Sequence, residues 1–189
     1  MKLITLNNYL KNNFKIKREN EKYKVLYKDD NFLLEPKIAF NNCKFYTKNK
    51  LFKVKITIDK EDNEHRKFKE FIKFIYNNIS EFIEIDENDI FISEVINPLN
   101  KEDILFPIIN SYTDIKDYDT KETLKIESLK DKNFILYPIF WAPNINIYNE
   151  KVYINFIVNS CCIKIIDDSL NKFEYNYKDV DNAISKYIK

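Results

Sequence analysis

The sequence predicts a mainly β protein of the α+β class, a small closed or partly closed antiparallel barrel with one amphipathic helix inserted near residues 64–84. Three observations lead there. Short stretches of apolar residues alternate with polar ones at period two, as half-buried strands require. One stretch switches to a spacing of three and four, the stripe of a helix. No strand–helix–strand alternation recurs, which argues against a parallel doubly wound sheet and for a barrel. With 189 residues the chain is long enough for one domain with a sizeable core, and no Ser/Pro-rich linker or repeat divides it.

Along the chain, Leu3, Leu6 and Leu10 fall at roughly helical spacing. Tyr23, Val25 and Tyr27 alternate with Lys22, Lys24 and Lys28, and Phe32 to Phe40 follows an Asp-Asp-Asn turn, which predicts a hairpin-like strand pair. Phe52, Val54, Ile56 and Ile58 fall on one face of the next strand, with Lys53, Lys55 and Thr57 on the other. Then Phe68, Phe71, Ile72, Ile75, Ile79, Phe82 and Ile83 form the helical stripe, behind acidic Glu61, Asp62 and Glu64, with Asp62 or Asn63 as candidate cap. Segments 90–96, 105–112 and 124–129 each read as a short strand. Phe134 to Trp141 is the strongest β stretch, and Pro138 inside it suits an edge, a bend or a bulge. After a turn over Asn144 to Glu150, a long strand alternates through Val152, Ile154, Phe156 and Val158. Near Asn159 and Ser160 its parity switches to Cys161, Ile163 and Ile165, the mark of a bulge. A short C-terminal helix over about 178–188 presents Val180, Ala183, Ile184, Tyr187 and Ile188 on one side, and it docks on the domain's own core or on a partner.

Composition excludes several function classes. Glycine is absent, so there is no Walker loop, dinucleotide fingerprint, kinase lid or nucleophile elbow, and positive-φ turns are expected to be lost with it. The single histidine, His65, rules out a multi-histidine metal site; its charged surroundings predict a surface helix position. Cys43, Cys161 and Cys162 match neither a disulfide framework nor a zinc spacing and read as small buried hydrophobes, with a Cys3His zinc site left open. They fit a reducing compartment. No run is apolar enough for a signal peptide core or a bilayer span, so a soluble, intracellular, cytoplasmic protein with no membrane partner is expected.

The net charge of +1 hides a split, with 15 basic and 6 acidic residues in 1–60 but 9 and 18 in 61–131. In the basic third, Lys44, Lys48, Lys50, Lys53 and Lys55 are interleaved with Phe45, Tyr46 and Phe52. Ammonium groups neutralise phosphates while rings stack on unpaired bases of any sequence, so this mixture suits a single-stranded nucleic acid groove. A solvated edge strand defended by lysines looks the same. Few arginines point to sequence-tolerant backbone binding. A second aromatic group comprises Tyr137, Phe140, Trp141, Tyr148 and Tyr153 beside Lys151, with Trp141 or Tyr153 as outward stacking platforms; Tyr112, Lys116 and Tyr118 form a loop candidate of the same kind. Asp30 with Glu35-Pro36-Lys37 faintly suggests a metal-dependent nuclease core, weakened by the proline within it.

Four blocks carry a family resemblance: FLLEPKIAFNNC, NKLFKVKITID with RKFKEFIKFIYNNI, FPIINSYTDIKDYDT, and LKDKNFILYPIFWAPNINIYNEKVYINFIVNSCCIKIID. Together they resemble the single-stranded DNA-binding proteins of large cytoplasmic DNA viruses, related phages and cytoplasmic linear plasmids. The resemblance spans about Phe32 to Asp168 and implies an OB-like barrel, with its core near 22–168, that coats exposed strands in DNA replication or genome maintenance without catalysis or cofactor. It implies replication proteins as partners and allows a homo-oligomer. Lys53 and Lys55 match the basic strand before the helix, and Trp141 and Tyr153 the aromatic strands near the cleft. The basic tail departs from the acidic tail of phage members. The expected DNA-binding residues are Lys44, Tyr46, Lys48, Lys50, Phe52, Lys53, Lys55, Tyr112, Lys116, Trp141, Tyr148, Lys151 and Tyr153. The alternatives are a viral or plasmid assembly factor that pairs basic and acidic segments between copies, and a Mg-dependent nuclease.

Overall fold

Period-two alternation becomes strand and the apolar stripe becomes helix in the computed structural model, which describes residues 1–19, 22–48, 51–84, 90–92, 95–96 and 104–166. In chain order the elements are β1 (Lys2–Thr5), β2 (Phe14–Glu19), β3 (Lys22–Tyr27), β4 (Phe32–Glu35), β5 (Phe40–Lys48), β6 (Leu51–Thr57), α1 (Asn63–Ile83), β7 (Ile90–Ile92), β8 (Val95–Ile96), β9 (Ile104–Leu105), β10 (Ile108–Ile109), β11 (Asp114–Asp117), β12 (Phe134–Trp141), β13 (Asn144–Tyr148), β14 (Lys151–Asn155) and β15 (Val158–Ile165). The expected C-terminal helix lies outside the described residues.

Among the described residues the strands form two sheets. The nine-stranded one runs β1-β4-β12-β5-β6-β10, with β15 on β12, β11 on β15 and β9 on β6; the six-stranded one runs β2-β3-β13-β14-β7-β8. The larger sheet curls on itself. Ile108 N–H donates to Phe156 O at 2.9 Å and Ile108 bridges Ile157, bringing β10 to the start of β15, which pairs antiparallel with β12. Pairing thus runs from β12 through β5, β6 and β10 and back toward β12, an OB-like barrel wall. Most pairs are antiparallel as expected; β1–β4, β11–β15 and β14–β7 are parallel.

Helix α1 fastens the two sheets together. Its Asp62 cap accepts N–H bonds from Glu64 at 2.8 Å and His65 at 3.0 Å, and the chain leaves the helix at Glu84 with φ 54°. The stripe buries Phe68, Phe71, Ile72, Ile75 and Ile79, and also Tyr76, while Phe82 stays half exposed. The Phe68 ring stacks on Phe140 at 5.8 Å and meets Phe40 at 5.6 Å in the large sheet, whereas Phe71 meets Phe14 of the small sheet at 5.8 Å. At about 1.5–3 kcal/mol per fully buried side chain of this size, these rings supply much of the attraction between the layers.

Several local expectations are corrected. Residues 2–5 are a strand, with Ile4 and Leu6 buried, so the leucine spacing is not a helix, and the sheets begin upstream of residue 22. Strands β3 and β4 do not form a hairpin: β3 pairs with β2 and β13, β4 with β1 and β12, and the Tyr27–Asp30 turn carries the chain between sheets. Ile126–Leu129 is a 3-10 turn, and the turn at 144–150 shrinks to Asn149-Glu150 because Asn144–Tyr148 pairs with β14. His65 is buried, not on the surface. Its Nδ1 accepts the Asp59 N–H at 2.9 Å, which leaves the ring proton on Nε2 facing Ala39 O at 3.4 Å.

The parity switch in the last strands has the predicted cause. The β12–β15 register shifts between Ile139 and Phe140, opposite Ser160 and Val158, so Asn159 is the extra residue of a bulge. The long strand itself divides at Phe156–Ile157, with β14 in the small sheet and β15 in the large one. A second bulge lies in β5, where Asn41 and Asn42, between Phe40 and Cys43, oppose Ile135 alone, between Phe134 and Leu136, and Asn42 takes φ 54°. Pro138 sits between Leu136, the last partner of β5, and Phe140, the first partner of β4, where its missing N–H breaks no β5 or β4 ladder.

Candidate nucleic-acid interface

Register decides which side chains share a face, since directly opposed residues point the same way. In the β5–β6 hairpin Lys44 opposes Lys55 and Tyr46 opposes Lys53, all on the outer face. Lys53 also opposes Ile108, and Ile108 bridges Ile157. Trp141 N–H donates to Ile157 O at 2.9 Å, and Trp141 opposes Leu33. One row of outward positions therefore runs around the barrel wall from Tyr46 through Lys53, Ile108 and Ile157 to Trp141. Its end rings are open to solvent, Tyr46 at 41% and Trp141 at 38% exposure. Phe106 braces Tyr46 edge-on at 6.0 Å between centroids.

Trp141 opens into a cleft of about 380 Å³ shared with Lys24, Asn144 and Ile157, so the late aromatic of the large sheet meets a lysine of the small sheet. The cleft's carboxylate, Asp30, is neutralised by the N-terminal amine at 3.0 Å, which also holds its carboxyl below the ordinary range. Beyond it, Tyr148 opposes Lys151 across the β13–β14 hairpin, and Tyr153 opposes Asn146. Tyr148 is mostly exposed and Tyr153 half-buried.

The remaining expected residues are dispersed. Phe52 points to the opposite side of β6 from Lys53, opposing Thr47 and Ile109. Lys53 itself is only 6% exposed, so its stem packs in the row and it offers no open ammonium surface as the sequence reading expected. Lys50 and the Lys48 side chain lie outside the described residues. Tyr112, 92% exposed, rides a turn pinned by Thr113 Oγ1 donating to Val158 O at 2.8 Å and by Asn110 Oδ1 accepting the Tyr112 N–H at 2.9 Å. Lys116 lies on β11, ion-paired to Asp114 at 3.5 Å, in a separate cleft of about 410 Å³ with Glu35, Lys37 and Tyr137. Nearby, Tyr118 stacks on Tyr137 at 4.7 Å with the Lys121 ammonium 4.5 Å from its ring.

Asp30 and Glu35 line different clefts, so the carboxylates of the faint nuclease pattern do not converge. Among the described residues no group of three or more His, Cys, Asp or Glu side chains is set to hold a metal. Cys43 and Cys161 are buried, which pushes both thiols up to about 12, and Cys43 Sγ donates to Phe40 O at 3.1 Å. Such thiols are packing groups, not nucleophiles. No helix among the described residues is long and apolar enough to cross a membrane.

Lys17 and Lys24, missing from the sequence-based set, share an outer face with Asn144 and Asn155. The Lys22-Lys24 alternation was visible in sequence, but its partner strand β13 is remote along the chain.

No protein-family model and no curated protein matches the sequence. Solved structures do. The single-stranded DNA-binding protein from bacteriophage Enc34 superposes with a TM-score of 0.51 at 14% identity, covering 81% of this chain and 91% of that one. What is shared is the fold. The same phage protein in complex with ssDNA gives 0.48 at 14% identity, over 80% of this chain and 94% of that one.

Proposed function

We propose that the chain binds single-stranded DNA without sequence preference and without catalysis, coating exposed strands in replication or genome maintenance. The observation that carries this reading is the outward row from Tyr46 to Trp141, with Lys44 and Lys55 beside one ring and Lys24 beside the other. Rings at both ends stack on bases whatever their identity, and the flanking ammonium groups take the phosphates. The fold shared with the Enc34 protein, named for single-stranded DNA binding, supports the same reading. Arginine forks for base-edge readout are absent from the row, which favours sequence tolerance.

The test uses the chain's single tryptophan. Titration with oligo-dT at low salt quenches Trp141 fluorescence to saturation, and affinity falls steeply as salt rises. Followed by polarisation of a labelled oligonucleotide, Trp141→Ala weakens binding by about 1–3 kcal/mol, the value of one stacked base. Folded protein that shows no saturable binding to oligo-dT at low salt overturns the proposal.

A further inference from the structure

The six-stranded sheet turns one face to helix α1 and the core and the other outward. On the inner face lie Phe14, Ile16, Val25 and Ile145, which pack with the helix or the core. On the outer face, register lines up Lys17 opposite Lys24, Lys24 opposite Asn144, and Asn144 opposite Asn155, one row across four adjacent strands. At about 4.8 Å between strands the row spans roughly 14 Å. A second row sets Asn146 opposite Tyr153, and a third sets Tyr148 opposite Lys151 at the hairpin tip. On β2, β3, β13 and β14 this face carries Lys15, Lys17, Lys22, Lys24 and Lys151 against the carboxylate of Glu19 and that of Asp29, which reaches Lys15 at 2.8 Å from the turn after β3.

Resting on the reading of the chain as a single-stranded DNA binder, we propose that this outer face of β2–β3–β13–β14 continues the strand's path beyond the Trp141 cleft. The lysines of β2 and β3 take phosphates, and the asparagine amides of β13 and β14 meet the edges of unpaired bases. Two features argue for DNA as the occupant. The path is continuous, because Lys24 and Asn144 belong both to the first row and to the Trp141 cleft. The chemistry is complementary, because amides both donate and accept hydrogen bonds, as unpaired base edges do, while the lysines match phosphate. Defence of an edge strand accounts for lysines on β2 but not for Lys24, which lies on interior strand β3, nor for the asparagine pair.

Glu19 occupies two lysines of this face. Its carboxylate holds Lys24 at 2.6 Å and Lys17 at 3.2 Å, and those two ammonium groups keep its carboxyl below the ordinary range. A phosphate landing on either lysine has to compete with that carboxylate.

The experiment measures dT-oligomer binding by Trp141 quenching over a salt series, for the wild-type chain, Glu19→Gln, and the triple variant Lys15→Ala/Lys17→Ala/Lys22→Ala, which leaves Lys24 of the Trp141 cleft in place. Far-UV circular dichroism verifies folding. Loss of three phosphate contacts makes the slope of log affinity against log salt shallower by about 2, at ~0.7 per contact on single strands. The triple variant also loses the gain in affinity that wild type shows on longer oligomers, while short oligomers still quench Trp141. Glu19→Gln binds more tightly at low salt, and it tests the face independently should the triple variant fail to fold. Unchanged slope and affinity in both variants, with quenching intact, overturns this inference and leaves the Trp141 site standing. Absence of quenching and binding in the wild-type chain overturns both.

Discussion

Lys28, Asp29, Lys37, Asn42, Glu84, Lys121, Asp131, Asn149 and Glu150 all hold positive φ, in a chain that has no glycine. Each forces a Cβ toward a carbonyl oxygen, and only asparagine and aspartate relieve this with local hydrogen bonds. The expectation that such turns vanish with glycine is therefore wrong: glutamate adopts positive φ in the β13–β14 hairpin turn and at the end of α1, and lysine in the loops after β3, β4 and β11. At Asn149-Glu150, φ is 50° and 61° between the opposed pair Tyr148 and Lys151, the paired positive values a type I′ turn needs. Replacing the second residue relieves the clash but gives the unfolded chain more freedom. Glu150→Gly is expected to raise stability by up to about 1 kcal/mol, or about 2–4 °C in Tm for a chain of this size, read by thermal unfolding. A lower Tm would mean that Glu150 makes a contact worth more than its strain. Side-chain direction was partly readable at this scale. Trp141 follows inward Phe134, Leu136 and Phe140 by parity and is outward, whereas burial of Lys53 depends on Tyr46 and Ile108 across two ladders, which a local pattern does not contain.

Among the elements, α1 was the most legible, because cap, stripe and charged first turn are all local. The Asp62 carboxyl lies below its ordinary value because the His65 N–H, and then that of Glu64, donate to it; Asp117 is lowered in the same way by Thr120 and Asp119. A carboxyl lowered by folding adds stability that is complete above its unfolded value of about 4 and is lost as pH falls through the lower folded value. Asp62→Asn keeps a capping oxygen without the titrating charge, so its loss of Tm between pH 6 and pH 3 is expected to be smaller than that of wild type. An equal loss in both proteins would remove Asp62 from the acid response. Short strands were far less legible. Ile108–Ile109 is two residues long, and only its pairing with Lys53 and Phe52 makes it a strand. The turn at Ile126–Leu129 has strand-like composition, yet among the described residues no strand pairs with it.

For the molecule as a whole, Phe68 meets Phe40, Phe140 and Phe156 from the second turn of the helix. Phe68→Ala removes a fully buried ring at the joint between layers, and a loss of about 3–5 kcal/mol is expected in urea unfolding. A loss below 1 kcal/mol would indicate that the core closes around the gap. The charge split was legible from sequence, and the lysines of β2 and β3 belong to its basic third; their grouping with β13 and β14 required the topology. The chain passes from one sheet to the other between β1 and β2, β3 and β4, β6 and β7 (through α1), β8 and β9, β12 and β13, and β14 and β15. Because these crossings are spread along the whole polypeptide, no excision frees the smaller layer as an independent fragment. Proteolytic nicking or gene splitting would sever both layers at once, so dissecting what each contributes falls to point substitution.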